Sequence, residues 1–298
     1  MSQLATQWIS EDQVHDSSCP ICSASSVRIV ETFEGRSLIK CRECRVAYLY
    51  PQPSASEFTN HFEVDDASAN KERERRFESN REPVLDRIVD YIRSRKQPGD
   101  ILDVGCATGY FLARFCRGTN WRPWGVELSH NFAEQAAAKG IQVRLGQIVQ
   151  AGFSDCSFDV ITVLDAFYYF PEPRATLVEL RRILKPEGML LLDLPLGGSR
   201  IWRTNTRLGR TLSATRAPLL QTSDHLFYYA PHTIQLLLKQ CGFEIQALRL
   251  LPANRQARPL RNAIYRSFYY CSCALSAVSA SRVFLGPRFL VAAVKRSS

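Results

Sequence analysis

Two groups of residues in this chain have the types and spacing to do chemistry. The first is Cys19-Pro20-Ile21-Cys22 and Cys41-Arg42-Glu43-Cys44, two C-x2-C pairs separated by eighteen residues. Each pair can form a knuckle, and four thiolates together close a tetrahedron around zinc. With Cys at all four positions the metal keeps no coordination site for substrate. The pattern therefore predicts a structural zinc ribbon held by Cys19, Cys22, Cys41 and Cys44. Two disulfides or a redox pair are the alternative, and no βαβ pattern accompanies the cysteines to favour it. The second group is ILDVGCATGYF, residues 101–111, in which an apolar run carries Asp103 and then breaks into Gly105, Cys106, Ala107, Thr108 and Gly109. Glycines there can take positive φ, the small residues present little bulk, and unpaired amides at a helix start can meet a polar ligand. Such a turn suits a nucleotide or nucleoside. G-x-G-x-x-G is not met, because Ala107 and Tyr110 hold the second and third glycine positions counted from Gly105. A second acid, Glu127, ends the next apolar run.

The elements that must position these groups follow from periodicity. VRIVETFEG and RSLIKC supply two short strands with a turn at Glu34-Gly35, and VAYLYPQP leaves the second knuckle. Residues 54–80 are polar and charge-rich, which predicts a helical linker or exposed lid. From Arg81, with Pro83 near the start, Val84, Leu85, Ile88, Val89 and Ile92 recur at helical spacing. Beyond the glycine turn, strands at WRPWGVEL, IQVRL, FDVITVL, GMLLLDL, FEIQALRL and RFLVAAV alternate with helices at 129–139, ATLVELRRIL and HTIQLLLKQ. Alternation of this kind builds an α/β fold, a mostly parallel sheet covered by helices, with ligands at the carboxyl ends of the strands.

Composition bounds the function class. A chain of 298 residues, 45% hydrophobic and 22% charged, can bury one large core and a small module. The N-terminus lacks a basic start followed by an apolar run, and no charge-free apolar stretch reaches about twenty residues, so neither a signal peptide nor a spanning helix is expected. The cysteine pattern points to a reducing cytoplasm. Cys106, Cys116, Cys156, Cys241, Cys271 and Cys273 read by default as buried small hydrophobes. From Arg200 onward, 15 Lys and Arg stand against Asp224 and Glu244, a balance of +13 within a whole-chain charge of +9. That asymmetry suits an acidic partner or a solvated Arg-rich surface. Between Arg266 and Arg282 the chain is free of charge and apolar. The favoured reading there is a core helix covering the sheet. The alternative is a segment resting on an anionic membrane, from which a lipid-linked glycan could be reached.

The run Asp103-Val104-Gly105-Cys106-Ala107-Thr108-Gly109, the strand end Val126-Glu127-Leu128-Ser129, SFDVITVLDAFYYFPEP and LKPEGMLLLDLP together resemble class I S-adenosylmethionine-dependent methyltransferases. More narrowly, the chain is similar to members carrying an N-terminal four-Cys zinc ribbon. The resemblance implies a Rossmann-like fold and the following organisation: a tail (1–15), the ribbon (16–53), a helical linker or lid (54–97), and the methyltransferase domain (98–298) with a basic, apolar segment at about 260–287. It also implies S-adenosyl-L-methionine as cofactor, bound by Asp103, Gly105, Cys106, Ala107, Gly109, Glu127, Leu128, Gln147 and Leu164. Asp103 would orient the cofactor's amino group, the glycine turn would admit the methionine part, and Glu127 would accept the ribose hydroxyls.

The chain departs from the family pattern twice. Gln147 stands where Asp often meets the adenine amino group, and Tyr168-Tyr169 replaces a frequent Glu-His. Acid–base work would then fall to His225, in a segment resembling the family's pre-helix loop near the acceptor, or to Tyr168 or Asp165. Phe167, Tyr168, Tyr169, Phe227, Tyr228 and Tyr229 could wall an acceptor pocket or simply pack. The expected activity is methyl transfer to oxygen or carbon of a small molecule or saccharide. RNA methylation, and a non-catalytic scaffold, are the alternatives.

Overall fold

The computed structural model describes residues 18–53, 71–198, 201, 219–222, 225–255, 259–278 and 286–296. Seven strands form the main sheet: β4 (Asp100–Val104), β5 (Arg122–Glu127), β6 (Gln142–Leu145), β7 (Phe158–Leu164), β8 (Leu184–Pro195), β10 (Phe243–Leu251) and β11 (Arg288–Lys295), in the order β10-β11-β8-β7-β4-β5-β6. From β6 to β8 all neighbours are parallel, whereas β11 runs antiparallel to both β8 and β10. The central strands are buried on both faces, which is why DILDV and FDVITVL read as apolar runs rather than alternating patterns. Strand order reverses between β4 and β7, so the crevice at their carboxyl ends is the switch point where ligands bind in open α/β sheets.

Helices cover both faces. On one lie α1 (Lys71–Arg93) and α2 (Tyr110–Cys116), whose Val84, Ile88, Ile92, Leu112 and Phe115 pack on Ile101, Val160, Leu191 and Leu290. Val84, Ile88 and Ile92 are wholly buried, each contributing about 1.5–3 kcal/mol. On the other face lie α4 (Pro173–Ile183) and, after β9 (Phe227–Tyr228), α6 (Pro231–Gln240). Between β5 and β6, α3 (His130–Ala137) starts at Ser129, whose side chain caps the Phe132 amide. A four-residue helix, α5 (Leu219–Thr222), precedes β9, and α7 (Pro259–Val278) connects β10 to β11.

The cysteine module is an antiparallel sheet of β1 (Val27–Phe33), β2 (Arg36–Cys41) and β3 (Ala47–Tyr50), with the expected turn at Glu34-Gly35. Its fourth strand is β9, contributed from residue 227 onward, which pairs with β3. The module is also tied down by hydrogen bonds from Arg174 Nη2 to Ile21 O (2.9 Å), Thr233 Oγ1 to Cys44 O (2.5 Å) and Leu49 N to Leu226 O (2.9 Å). Ile21, Val27, Ile39 and Tyr48 share one core with β4, β7 and α6.

Three expectations are corrected. Cys156 and Cys271 are exposed rather than buried. Pro83 lies inside α1, not at its start, because the charged residues 71–80 continue the same helix upstream; residues 54–70 of the expected linker lie outside the described residues. Nor is the apolar C-terminal segment a core helix. α7 leaves Ile264, Phe268, Leu275 and Val278 exposed and buries Ser272 and Ser276 instead.

Candidate functional site

The glycine turn sits between β4 and α2. Gly105 (φ 76°) and Gly109 (φ 72°) occupy the left-handed region, and Ala107 joins them at φ 46°. The glycines serve different ends. A Cβ on Gly105 would stand 2.8 Å from the Ala166 Cβ and fill space at the turn's open side. One on Gly109 would strike Ile141 Cδ1 at 2.3 Å, so Gly109 lets α2 and α3 approach. The Cys106 side chain is likewise packing. It lies beneath Gly125, where a Cβ would meet its Sγ at 2.5 Å, and burial pushes its thiol well up.

Glu127 ends β5 beside this turn. Its Oε2 accepts from Ala107 N (2.8 Å) and its Oε1 from Leu128 N (2.8 Å) and Ser129 N (3.0 Å). Three amides thus hold a buried carboxylate in one orientation while Ser129 caps α3. The carboxylate opens on a cavity of about 690 Å³ whose lining includes Gly105, Ala107, Leu128, Gln147, Asp165 and Tyr169, with Pro53 of the cysteine module at its edge. That volume lies within the ~300–1,000 Å³ of small-molecule sites. Across the turn a smaller cavity of about 150 Å³ is lined by Glu78, Arg81, Asp103, Cys106, Leu164 and Asp165, among others. The two share Gly105, Ala107 and Asp165.

Asp103 is buried in mid-sheet opposite Gly125 and Thr162, and its Oδ1 accepts from Thr162 Oγ1 at 2.7 Å. Burial pushes its carboxyl up to about 8, opposed by the Thr162 bond and Arg81 and reinforced by Glu127. Asp165, at φ 62° just past β7, belongs to a buried ionic square. Arg288 Nη2 reaches Asp165 Oδ1 (2.6 Å) and Asp193 Oδ2 (2.9 Å), and Arg288 Nε reaches Asp193 Oδ1 (2.8 Å). Arg81 bridges the same two acids, at 2.6 Å to Asp193 and 3.5 Å to Asp165. Burial would raise Asp165, but Arg288, Arg81 and the Tyr168 hydroxyl (2.9 Å) outweigh it and hold the carboxyl below the ordinary range. Burial, then Asp165, pushes the Tyr168 phenol well up.

Of the residues expected from sequence, Asp103, Gly105, Cys106, Ala107, Glu127, Leu128, Gln147, Leu164 and Asp165 gather around the two cavities. Gly109, Tyr168 and His225 line neither. His225 is buried one layer back, stacked on Tyr168 with ring centroids 3.7 Å apart and edge-on to Tyr169 at 5.4 Å. Tyr169 is the aromatic of the six that faces the large cavity, while Phe167, Phe227 and Tyr229 pack together in the core. Sequence reasoning missed Arg81, Asp193 and Arg288. A lone acid inside the apolar run GMLLLDL was a signal that a buried cation must meet it.

The four cysteines converge as well. Cys19 and Cys44 Sγ are 3.6 Å apart, as are Cys22 and Cys41, and all four sulfurs lie within 4.8 Å of one another, so the cluster could hold a metal ion.

A parallel sheet with one antiparallel strand, a glycine turn at its switch point and an acid closing the neighbouring strand define a Rossmann-like α/β domain. Residues 73–248 match the family described as "Methyltransferase domain", and the chain belongs to that family. It is 33% identical over 126 residues to nocamycin O-methyltransferase of Saccharothrix syringae, covering 38% of this chain and 44% of that protein. To O-methyltransferase cnsE of Penicillium expansum it is 26% identical over 180 residues, covering 55% and 60%. To the tRNA U34 carboxymethyltransferase of Nautilia profundicola it is 32% identical over 100 residues, covering 32% and 33%. The matches span less than two thirds of these relatives' lengths. Among solved structures, a SAM-dependent methyltransferase from Thermotoga maritima superposes with TM-score 0.51 at 19% identity, over 79% of this chain and 99% of that one, which establishes the shared fold.

Proposed function

We propose that this chain transfers a methyl group from S-adenosylmethionine to oxygen or carbon of a small molecule or saccharide. The observation that carries the reading is Glu127, fixed by three amides at the edge of a 690 Å³ cavity whose turn has no room for a Cβ at Gly105. These residues fit the cofactor. A fixed carboxylate suits a ribose diol, Gln147 offers a carbonyl oxygen to an adenine amino group, and the small cavity with Asp103 and Arg81 suits a charged amino acid portion. S-adenosylmethionine supplies an electrophilic methyl carbon on a sulfonium.

The chain's own residues position and exclude water. The large cavity is walled mostly by apolar groups, with Phe132, Val149, Tyr169, Phe170 and Pro171 prominent, which suits an acceptor with an apolar body. Asp165, clamped by two arginines, is a weak base. It fixes the loop after β7 and keeps Tyr168 protonated as its donor. His225, stacked on Tyr168 behind Tyr169, is the remaining base among the sequence candidates. The four-thiolate cluster is assigned to zinc: a tetrahedron with Zn–S of about 2.3 Å places sulfurs ~3.8 Å apart, close to the 3.6 Å pairs here. Its part is structural, since the module completes its sheet with β9, two residues beyond His225.

RNA is the second acceptor reading, favoured by the +13 balance from Arg200 onward and by the tRNA-modifying relative. Transfer of labelled methyl from S-adenosylmethionine into fractionated extract separates the two. Label in the small-molecule or saccharide fraction supports the proposal; label confined to RNA, with steeply salt-dependent binding, overturns it.

A further inference from the structure

We propose that the groove between α1 and α7 binds a neutral polyhydroxylated ligand, a saccharide. Helices normally meet through an apolar stripe at i, i+3, i+4 and i+7. Here α1 offers Pro83, Asp86, Arg87 and Asp90 at that spacing, α7 offers Asn262, Tyr265, Arg266 and Tyr269, and a cavity of about 370 Å³ lies between them. The apolar residues of α1 are already engaged with the sheet, through Val84, Ile88 and Ile92. The volume falls within the ~300–1,000 Å³ of small-molecule sites. Pro252, Ala253 and Arg255, just past β10, complete the lining. That loop is pinned: Arg255 N donates to Asn80 O (2.6 Å), Arg255 Nη2 pairs with Glu82 Oε2 (3.3 Å), and Arg288 Nη1 donates to Asn254 Oδ1 (3.4 Å). A wall held in advance reduces what a ligand must order on binding.

Charge and ring chemistry select the occupant. Arg87, Arg255 and Arg266 line the groove together with Asp86 and Asp90. Asp86 pairs with Arg114 and Arg255 with Glu82, so acids and cations interleave instead of forming a field of one sign. A polyanion would meet two carboxylates there, and a polycation three guanidinium groups. A neutral polyol satisfies both, because its hydroxyls donate to carboxylates and accept from guanidinium groups. Tyr265, Tyr269 and Tyr270 add ring surface for the C–H faces of a sugar, each with a hydroxyl at its edge. Tyr265 and Tyr269 are half-buried, whereas Arg87, Asp90 and Arg266 are exposed, so the aromatic base lies deeper than the polar rim. β10 ends at Leu251 opposite Arg288, which places the 252–255 loop at the edge of the sheet that carries Asp165. Glu82 joins the groove to the small cavity, since it accepts from the Tyr110 hydroxyl (3.3 Å) and pairs with Arg255. Among the described residues the groove nonetheless shares no lining residue with either cavity of the cofactor site.

The test is binding of the full zinc-loaded chain to an array of immobilised neutral, sulfated and phosphorylated glycans, using wild type, Asp90→Ala/Arg266→Ala and Tyr269→Ala. Asp90 and Arg266 are exposed, so an unchanged thermal midpoint is expected of the double variant. The expected result is wild type held by neutral glycans, nearly independently of salt, with half-saturation raised by about tenfold or more in both variants. S-adenosylmethionine titrated in parallel should bind wild type and variants alike, so failure of the groove and failure of the methyl-transfer reading are told apart. Wild type retained by no neutral glycan, or variants retained equally well, overturns the proposal. So does retention confined to the sulfated and phosphorylated glycans and lost as salt rises, since it gives the arginines to simple anion attraction.

Discussion

Replacing Arg288 with Met removes the cation that Asp165 and Asp193 share. Three charge-assisted bonds of 2.6–2.9 Å disappear, and the buried Asp193 and part-buried Asp165 are left with Arg81 as their common partner. Such bonds contribute roughly 1.5–3 kcal/mol each, net of the water they replace. The desolvation already spent on the arginine is recovered, so the expected net loss is that of breaking a buried pair from one side, about 3–5 kcal/mol. For a domain of this size that lowers the thermal midpoint by roughly 6–15 °C. Urea denaturation of wild type, R288M, Asp193→Asn and the double variant closes a cycle. Neutralising Asp193 relieves part of the charge that Met strands, so the double variant should lose less than the sum by about 1–3 kcal/mol. A loss under about 1 kcal/mol in R288M, or strict additivity, would refute the claim that the square acts as one unit. Because Asp165 lines both cavities, R288M should also weaken cofactor binding at temperatures where it is still folded.

Asp103 sets a pH dependence with a definite sign. Its folded value of about 8 stands above its ordinary 3.8, so between those limits the folded state keeps a proton that the unfolded chain releases, and stability falls as pH rises. Asp103→Asn should flatten this slope: scanning calorimetry from acid to pH 8 should show the wild-type midpoint dropping relative to the variant, and parallel curves would reject the burial argument. At the cysteine cluster, Cys41→Ser should cost the chain most of its metal by elemental analysis and raise amide exchange along β3 and β9, which pair with each other. Full metal retention in that variant would contradict a four-thiolate site.

Much of this architecture was legible because periodicity and punctuation agreed. The run ILDV followed by Gly105 located β4 and its turn, and Glu127 announced itself as an acid ending an apolar strand. The C-x2-C pairs predicted a convergence that the sulfurs show. What stayed hidden depends on contacts between residues far apart in sequence. β9 is two residues long and forms only because β3 offers it an edge. Arg81 and Arg288 lie 207 positions apart, and each looks like an ordinary surface arginine until Asp193 places it. α7 misled for the opposite reason: an apolar, charge-free run normally means core, and the buried serines that reverse its sense are visible only once the helix is packed. The candidate base divides along the same line. Asp165 was recognisable as a loop acid past a strand, but not that two arginines hold it ionised.

Glu127 anchors the proposed S-adenosylmethionine site, and the decisive measurement is calorimetric titration of S-adenosylmethionine and its demethylated product into wild type and Glu127→Ala. Micromolar binding to the zinc-loaded wild type is expected, weakened by about tenfold or more in the variant, since a tenfold loss is about 1.4 kcal/mol and the variant removes a charged acceptor. Absence of binding to folded, metal-loaded wild type, or equal affinity in Glu127→Ala, would contradict it.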